Sequence, residues 1–201
     1  MITEIKKLLL HESQAILNIP VNDSFEKALD LIFHHVHELN GKLVASGMGK
    51  AGQIALNMAT TFSSTGTPAI FLHPSEAQHG DLGVIQKNDV LLLVSNSGKT
   101  REVLELVSLT EKLYTAIPII LITSNPSSKL SGIAKVTIST GNPKEVCILG
   151  LTPTTSTTTM TVIGDILVVL MMKRIGFNSE DYAKRHHGGY LGQKSREQFN
   201  K

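Results

Sequence analysis

Five polar side chains in this sequence are of the types that proton-transfer chemistry needs. They comprise two carboxylates, two imidazoles and one ammonium group, namely Glu102, Glu145, His79, His186 and Lys50. Taken alone, each is more often a surface residue or a satisfied hydrogen-bond partner than a catalyst. Together and beside a phosphate-binding turn, they would suit an aldose–ketose isomerisation, in which a proton moves between adjacent carbons after a sugar ring has opened.

The turn that would hold the phosphate lies within Val90–Glu102, which reads VLLLVSNSGKTRE. Five apolar residues predict a buried strand, the Ser-Asn-Ser-Gly ends it, and an amphipathic pattern predicts a helix over 100–113. The first amides of a helix are free to bind an anion, and hydroxyls of Ser95, Ser97 and Thr100 would add donors. The alternative interpretation is an ordinary βα turn capped by serine.

Two nucleotide-binding motifs can be weighed against this interpretation. The Gly-Lys-Thr of the turn is not a Walker loop, because Leu93 stands where the first glycine of that motif would fall. Residues 47–52 match GxGxxG after a predicted strand, so dinucleotide binding is the main rival. Against it, the second predicted strand ends in His73-Pro74 without an acidic residue, and Lys50 would crowd a pyrophosphate while suiting a smaller phosphorylated ligand.

Length and composition predict one cytoplasmic α/β domain, with N-terminal helices over 1–40, a core over 41–193 and a tail over 194–201. The formal net charge is +2, there is no tryptophan, and only the C-terminal stretch is mildly basic, so we expect no nucleic-acid partner. The single Cys147 excludes an internal disulfide, and the N-terminus does not resemble a signal peptide. The most apolar segment, 162–172, is too short to span a bilayer, so we expect no membrane partner.

The elements that must position these residues alternate along the chain. Apolar runs lie at 43–46, 69–72, 90–94, 119–122 and 136–138, separated by helical patterns or loops long enough for crossovers. This alternation predicts a parallel sheet with helices on both sides, a three-layer αβα sandwich. Ligands of such sheets bind beyond the carboxyl ends of the strands, where the loops with candidate residues follow.

Helical patterns flank this core. Residues 2–18 form an amphipathic pattern, with Ile2, Ile5, Leu9 and Ile16 on one side. A longer helix is predicted over 155–175, and because it is apolar nearly all round we expect it to be buried, with a subunit interface as one way to achieve this. The threonine-rich tract 152–161 predicts hydroxyl capping of its start, with hydroxyls also available to a ligand. His34, His35 and His37 do not converge on one metal ion at helical spacing and are interpreted as helix surface.

Six motifs, in this order, closely resemble the sugar isomerase (SIS) domain of D-arabinose-5-phosphate isomerases. They are GMGKAG at 47–52, FSSTGTP at 62–68, HPSEAQHGDLG at 73–83, SNSGKTREV at 95–103, KEVCILGLTPTTSTT at 144–158 and GFNSEDYAKRHHGGYLG at 176–192. The resemblance implies interconversion of D-ribulose 5-phosphate and D-arabinose 5-phosphate for the synthesis of Kdo and lipopolysaccharide. It also implies a five-stranded sheet in flavodoxin-like order and no organic cofactor.

The resemblance also implies roles for individual residues. The catalytic set would be Lys50, Glu102, Glu145 and His186; substrate would be bound by Gly66, Thr67, His79, Ser95, Ser97 and Thr100; and His73 would take an inhibitory zinc. We favour Glu145 as the base because related domains place the base ahead of a Ser/Thr-rich helix start, whereas the helix dipole at Glu102 would favour its ionised, less basic form. A base near neutral pH would need a pKa raised to roughly 6 or 7, which partial burial could supply.

Two departures from the family pattern affect what is expected. Members commonly carry a pair of CBS domains after this module, and because the sequence ends at Lys201 we expect no regulation through them. The usual His-Pro-Gly-Gly reads His186-His187-Gly188-Gly189 here, which frees the backbone after His186. Related domains take such histidines from a neighbouring subunit, so we expect a homo-oligomer, a dimer or tetramer, with shared active sites. A non-catalytic sugar-phosphate sensor and an isomerase of another sugar phosphate remain as alternatives.

Overall fold

A five-stranded parallel sheet forms the centre of the computed structural model, which describes residues 1–199. The strands are β1 (Leu43–Gly47), β2 (Ala69–Phe71), β3 (Val90–Val94), β4 (Ile119–Thr123) and β5 (Val136–Ser139). Every neighbouring pair is parallel, and the order across the sheet is β2-β1-β3-β4-β5. The predicted strands and their flavodoxin-like order are therefore confirmed.

Helices cover both faces of this sheet. The α-helices of the described residues are α1 (Ile2–Leu17), α2 (Ser24–Ile32), α3 (Gly49–Ser64), α4 (Pro74–Ala77), α5 (Arg101–Leu113), α6 (Lys129–Ile133), α7 (Thr155–Arg174), α8 (Ser179–Arg185) and α9 (Gly189–Phe199), of which α8 and α9 mainly contact each other. One core layer contains Ile32, Phe62 and Leu167 from α2, α3 and α7, and the other contains Leu106 and Leu130 from α5 and α6. This is the predicted three-layer αβα sandwich. Residues 194–199 of the predicted tail continue α9, and the tail's last two residues lie outside the described part of the chain.

The central strands form because their side chains are apolar in both directions. All residues of β1, β3 and β4 are buried. Along β3, Leu92 packs into the layer under α3 and α7, while Leu91 and Leu93 pack into the layer under α5. Each such side chain contributes about 1.5–3 kcal/mol by leaving water, so uninterrupted apolar runs specify strands covered on both faces.

A buried carboxylate fixes the amino ends of β1 and β3. Asp89 is completely buried, and its carboxylate accepts hydrogen bonds from the Lys42 amide at 2.9 Å and the Gln86 amide at 2.7 Å. The Lys42 ammonium donates to the same carboxylate at 2.7 Å. Because Lys42 and Asp89 directly precede the two strands, this ion pair holds the strands in register.

The long helix α7 is buried on one face only. Ile163, Leu167 and Met171 are buried, whereas Val169 and Leu170 on the other side are 49% and 36% exposed. The predicted burial is thus confirmed for the face that packs against α3 and α1. The helix has 20 residues and by length and mean hydropathy alone would suffice to cross a bilayer, but half of it is buried in the domain, as is usual for a core helix.

The predicted apolar side of α1 is mostly uncovered in a single chain. Ile2, Ile5 and Leu9 are 72%, 50% and 64% exposed, and only Ile16 packs against the core. The amphipathic helix is confirmed, but the core covers only its C-terminal part. An apolar helix face left open to solvent is typical of an interaction surface.

Candidate active site

The turn after β3 forms a polar hollow at the carboxyl edge of the sheet. Ser95 is buried, and its Oγ lies 3.0 Å from the Oγ1 of Thr100. The Oγ of Ser97 accepts a hydrogen bond from the Lys99 amide at 3.2 Å. Helix α5 begins immediately afterwards at Arg101, so its first amides are directed at the turn. The predicted succession of strand, hydroxyl-rich turn and helix is confirmed, and it has the geometry of an anion site.

A cavity of about 220 Å³ lies over this turn, where the starts of α3, α5 and α7 meet. Its polar lining consists of Lys50, Ser95, Asn96, Ser97, Thr100, Ser156 and Thr157, and two methionines add apolar surface. One ammonium group and several hydroxyls suit a phosphorylated ligand of a few carbons. Larger hollows lie elsewhere, including one of about 570 Å³ lined by His35 and Tyr114, but that hollow contains none of the predicted site residues.

Lys50 reaches the cavity because the chain turns sharply after β1. Gly49 adopts a left-handed φ of 58°, and α3 starts at this residue. Lys50 therefore stands in the first turn of α3, at the rim of the cavity, with its side chain exposed to solvent. A single cation at the opening of the cavity fits the expectation of a small phosphorylated ligand better than that of a pyrophosphate.

Glu145 binds the start of α7 with its carboxylate. Its Oε2 accepts hydrogen bonds from the Thr154 amide at 2.7 Å, the Thr154 hydroxyl at 3.0 Å and the Ser156 amide at 3.2 Å. We expected a serine or threonine hydroxyl to cap this helix. The carboxylate of Glu145, nine positions before Thr154, caps it instead. Since Ser156 lines the cavity, one hydrogen bond joins the carboxylate to the cavity wall.

These contacts show that the raised pKa expected for Glu145 is wrong. Burial raises the pKa of Glu145, but hydrogen bonds from Ser156 and Thr154 lower it by more, so that it lies below its ordinary value. The side chain is therefore a carboxylate at neutral pH. The helix-start argument that disfavoured Glu102 as the base applies equally to Glu145, because both carboxylates lie at helix N-termini.

Glu102 and His79 stand near the cavity without lining it. Glu102 is half-buried in the first turn of α5, directly after the phosphate turn. His79 is exposed after α4, on the loop that follows β2. Both thus lie on the predicted carboxyl edge, but among the described residues neither contributes to the cavity wall.

Gly66 and Thr67 lie at the amino ends of the strands, whereas the cavity lies at their carboxyl ends. Both precede β2, so they stand at the amino end of the parallel strands. A Cβ on Gly66 would come within 2.8 Å of the Phe177 ring, and the buried Thr67 hydroxyl lies 3.2 Å from the Nε2 of His37. Neither residue lines the cavity of its own chain, and the substrate contacts implied for them stay a prediction.

His186 ends α8, away from the cavity of its own chain. Its ring stacks on Tyr182 with 3.7 Å between ring centroids, and its Nδ1 lies 3.0 Å from the Tyr182 carbonyl oxygen. The neighbouring Arg185 lines a hollow with residues of α3 and β2, which places this segment beside the edge strand of the sheet. Convergence of His186 with Lys50 and Glu145 does not occur within the described part of one chain.

Three neighbouring histidines, His34, His35 and His37, have separate partners. His34 contacts Glu38, His35 contacts the Asn88 carbonyl oxygen, and His37 contacts Thr67, all from a π-helical segment, Phe33–Glu38.

The Nδ1 of His73 is buried without a partner in the described residues, and no group of three or more potential ligands surrounds it there. One imidazole nitrogen does not make a zinc site, so His73 does not fit the implied inhibitory zinc within one chain.

The fold and the cavity together define a flavodoxin-like α/β domain with an anion-binding turn at its carboxyl edge. The SIS domain family model matches residues 39–170. The arabinose 5-phosphate isomerase KdsD of Yersinia pestis is 45% identical over 91% of this chain and 54% of its own length. The chain therefore belongs to the SIS domain family, and it spans about half the length of the curated relatives that it matches.

Two solved structures extend the comparison. A Bacteroides fragilis protein described as a candidate phosphosugar isomerase involved in capsule formation is 64% identical, with a TM-score of 0.93 over 94% of this chain and 99% of that one. An Escherichia coli CFT073 protein solved in complex with arabinose 5-phosphate is 33% identical, with a TM-score of 0.85 over 92% of this chain and 96% of that one. Both relatives share nearly the whole of this chain's fold.

Proposed function

We propose that this chain catalyses the interconversion of D-ribulose 5-phosphate and D-arabinose 5-phosphate through an enediol, in the cytoplasm, as a step toward Kdo and lipopolysaccharide. The observation that carries the proposal is that Lys50, the phosphate turn and the Glu145-bound start of α7 meet at one cavity. The names of the KdsD relatives and the arabinose 5-phosphate complex of the Escherichia coli protein support this choice of substrate.

The mechanism assigns the chemistry to separate groups. The turn of Ser95, Ser97 and Thr100 and the first amides of α5 hold the phosphate. Glu145 removes the proton from C2 of the open-chain aldose and returns it to C1 of the ketose, while the hydroxyl proton moves from O2 to O1. Its three hydrogen bonds go to Oε2, so Oε1 keeps lone pairs that can accept the proton. Lys50 stabilises the oxyanion that develops on the substrate.

His186 opens the ring or moves the hydroxyl proton in the active site of a neighbouring subunit. The support is its distance in the fold from the cavity of its own chain, beside the edge strand β2. Exposed apolar side chains on α1 and in the loop after Glu145 give a dimer or tetramer surface to bury. Gly66 and Thr67 would likewise contact substrate only across such an interface.

A sugar-phosphate sensor is the alternative from another class. A sensor needs the phosphate turn but not the acid–base groups, so Lys50 at the cavity, together with Glu145 bound to Ser156 of the cavity wall, favours the enzyme. An isomerase of another sugar phosphate would use the same turn and the same base with different contacts to the far end of the sugar.

Incubation with arabinose 5-phosphate in deuterated water, followed by NMR, distinguishes these functions. We expect ribulose 5-phosphate to appear, with deuterium incorporated at the carbon that receives the proton from an exchangeable base. Arabinose 5-phosphate that binds but stays unchanged would make the protein a sensor. Turnover of a heptose or hexulose phosphate but not of arabinose 5-phosphate would overturn the substrate and keep the reaction class.

A further inference from the structure

Two neighbouring residues of α1 contact the loop that carries Glu145 and the first residue of α7. The Nε2 of His11 lies 2.9 Å from the carbonyl oxygen of Lys144. The Oε1 of Glu12 accepts a hydrogen bond from the Thr155 hydroxyl at 2.8 Å, and the same hydroxyl accepts one from the Val146 amide at 3.2 Å. Residues on both sides of Glu145 are thereby tied to α1.

Apolar packing does little to hold the rest of this loop. Residues 140–154 contain neither helix nor strand. Ile148, Leu149 and Leu151 are 101%, 71% and 78% exposed, so packing within the chain does not fix them. A cavity of about 240 Å³ separates part of the loop from α1, and His11 and Lys144 are among the residues that line it. The polar contacts from α1 therefore cross a region that apolar packing leaves open.

Thr155 connects α1 to the carboxylate itself. It is completely buried and lies between Thr154 and Ser156, whose amides both donate to Glu145. The hydrogen bond to Glu12 fixes the Thr155 hydroxyl, and with it the backbone that presents these two amides. The Oε2 of Glu12 is buried without a hydrogen-bond partner in the described residues, so the carboxyl group is held there at the cost of desolvation.

We propose that Glu12, supported by His11, is a positioning residue for the catalytic carboxylate of Glu145. It contacts neither the cavity nor the substrate and acts through Thr155 on the start of α7. The role in turnover rests on the proposed isomerase function, whereas the effect on the Glu145 carboxylate does not. Both residues lie on α1, outside the stretch that matches the family model.

Kinetics of three variants test the role in turnover. Glu12→Ala removes the acceptor, and we expect kcat to fall by roughly 10- to 100-fold, the size of effect that a small misplacement of a catalytic group produces, with KM changed little because the phosphate turn is intact. Glu12→Gln keeps an oxygen that accepts from Thr155 and should restore most of the loss. Glu4→Gln, an exposed residue of the same helix, is the matched control and should behave as wild type.

An NMR titration tests the same contact without using activity. The Thr154 and Ser156 amides report on the ionisation of Glu145, because they donate to its carboxylate. In Glu12→Ala the titration midpoint should move up toward the ordinary glutamate value of about 4.3, whereas in Glu12→Gln it should stay at the wild-type value. Thr155→Val should repeat the effect and Thr155→Ser should not, which covers the case in which Glu12→Ala fails to fold.

Different results would contradict different parts of the proposal. Wild-type kinetics and titration midpoints in both Glu12→Ala and Thr155→Val would overturn it. An equal loss of kcat in Glu12→Gln and Glu12→Ala would show that the hydrogen bond to Thr155 is not the cause of that loss. If kcat and the titration midpoint are unchanged in His11→Ala, His11 does not help to position Glu145. A wild-type protein that does not isomerise sugar phosphates refutes the proposed function, and the titration still decides whether Glu12 positions Glu145.

Discussion

Gly98 of the phosphate turn lies directly against Ser128, so closely that a Cβ on Gly98 would overlap the Ser128 side chain. The same glycine has a left-handed φ of 62°. The carbonyl of Gly98 accepts a hydrogen bond from the Leu130 amide, and Asn125 donates to the carbonyl of Ser97. The loop between β4 and α6 therefore supports the phosphate turn from outside.

Gly98→Ala should weaken phosphate binding. The added methyl group meets Ser128 and also strains the backbone by about 1–3 kcal/mol, so the turn must shift. We expect KM for arabinose 5-phosphate to rise at least several-fold in steady-state kinetics. Gly132→Ala is the control, because a Cβ there meets only open space, and a similar KM in both variants would contradict this account.

Glu145→Gln and Glu102→Gln decide which carboxylate is the base. Loss of a general base costs on the order of 10²- to 10⁴-fold in turnover, so kcat of Glu145→Gln should fall by this amount and that of Glu102→Gln by less. Steady-state kinetics with arabinose 5-phosphate would measure both values of kcat. If Glu145→Gln retains most of its turnover, the base has been assigned to the wrong residue.

Acid stability should depend on Glu145. Because its pKa is depressed in the folded chain, the carboxylate contributes stability that is fully present above the ordinary value of about 4.3 and is lost as the pH falls through the folded value. Urea unfolding of Glu145→Gln should therefore show a smaller decrease in unfolding free energy between about pH 5 and pH 3 than wild type does. Parallel curves would mean that the hydrogen bonds to Glu145 add no net stability.

Two lysines near the cavity should differ in importance. Lys50 lines the cavity, whereas Lys99 is exposed on the phosphate turn and does not line it among the described residues. If Lys50 stabilises a developing oxyanion, Lys50→Met should lower kcat by roughly 10²- to 10³-fold. Lys99→Met should leave kcat within about twofold, and equal losses would point to general charge attraction instead.

Mixing inactive variants tests whether subunits share active sites. Glu145→Gln and His186→Ala would each be inactive alone, but in a symmetric dimer that shares these residues, random mixing should restore about a quarter of wild-type activity. Glu145→Gln mixed with Lys50→Met is the control, since one chain supplies both groups to its own candidate site and no intact site can form. Absence of recovery in the first mixture would place His186 outside a shared site.

The sheet and the phosphate turn were predictable because they are encoded locally. The apolar run Val90–Val94, the hydroxyl-rich turn and the amphipathic helix follow one another without interruption, so short-range patterns suffice. The uncovered side of α1 could not be predicted, because the pattern of Ile2, Ile5 and Leu9 shows an apolar face without showing what covers it.

The features of the site that could not be predicted depend on contacts between distant parts of the sequence. The depressed pKa of Glu145 depends on amides nine and eleven positions along the chain, and Thr155 bonds to Glu12 across 143 positions. Gly66 and Thr67 were assigned to the substrate by resemblance, and a resemblance does not say whether they meet the cavity of their own chain, which they do not line. No periodicity in the sequence identifies contacts between residues so far apart. The hydroxyl-rich tract at 152–161 did indicate that the start of this helix would bind polar groups.

The ion pair of Lys42 and Asp89 has a consequence for how this domain could change. It joins β1 and β3 at their amino ends, whereas the loops that line the cavity follow the carboxyl ends of the same two strands. Exchanging those loops would leave the anchored end undisturbed. In such a fold, changes in the loops could alter the size of the cavity while the two strands stay aligned.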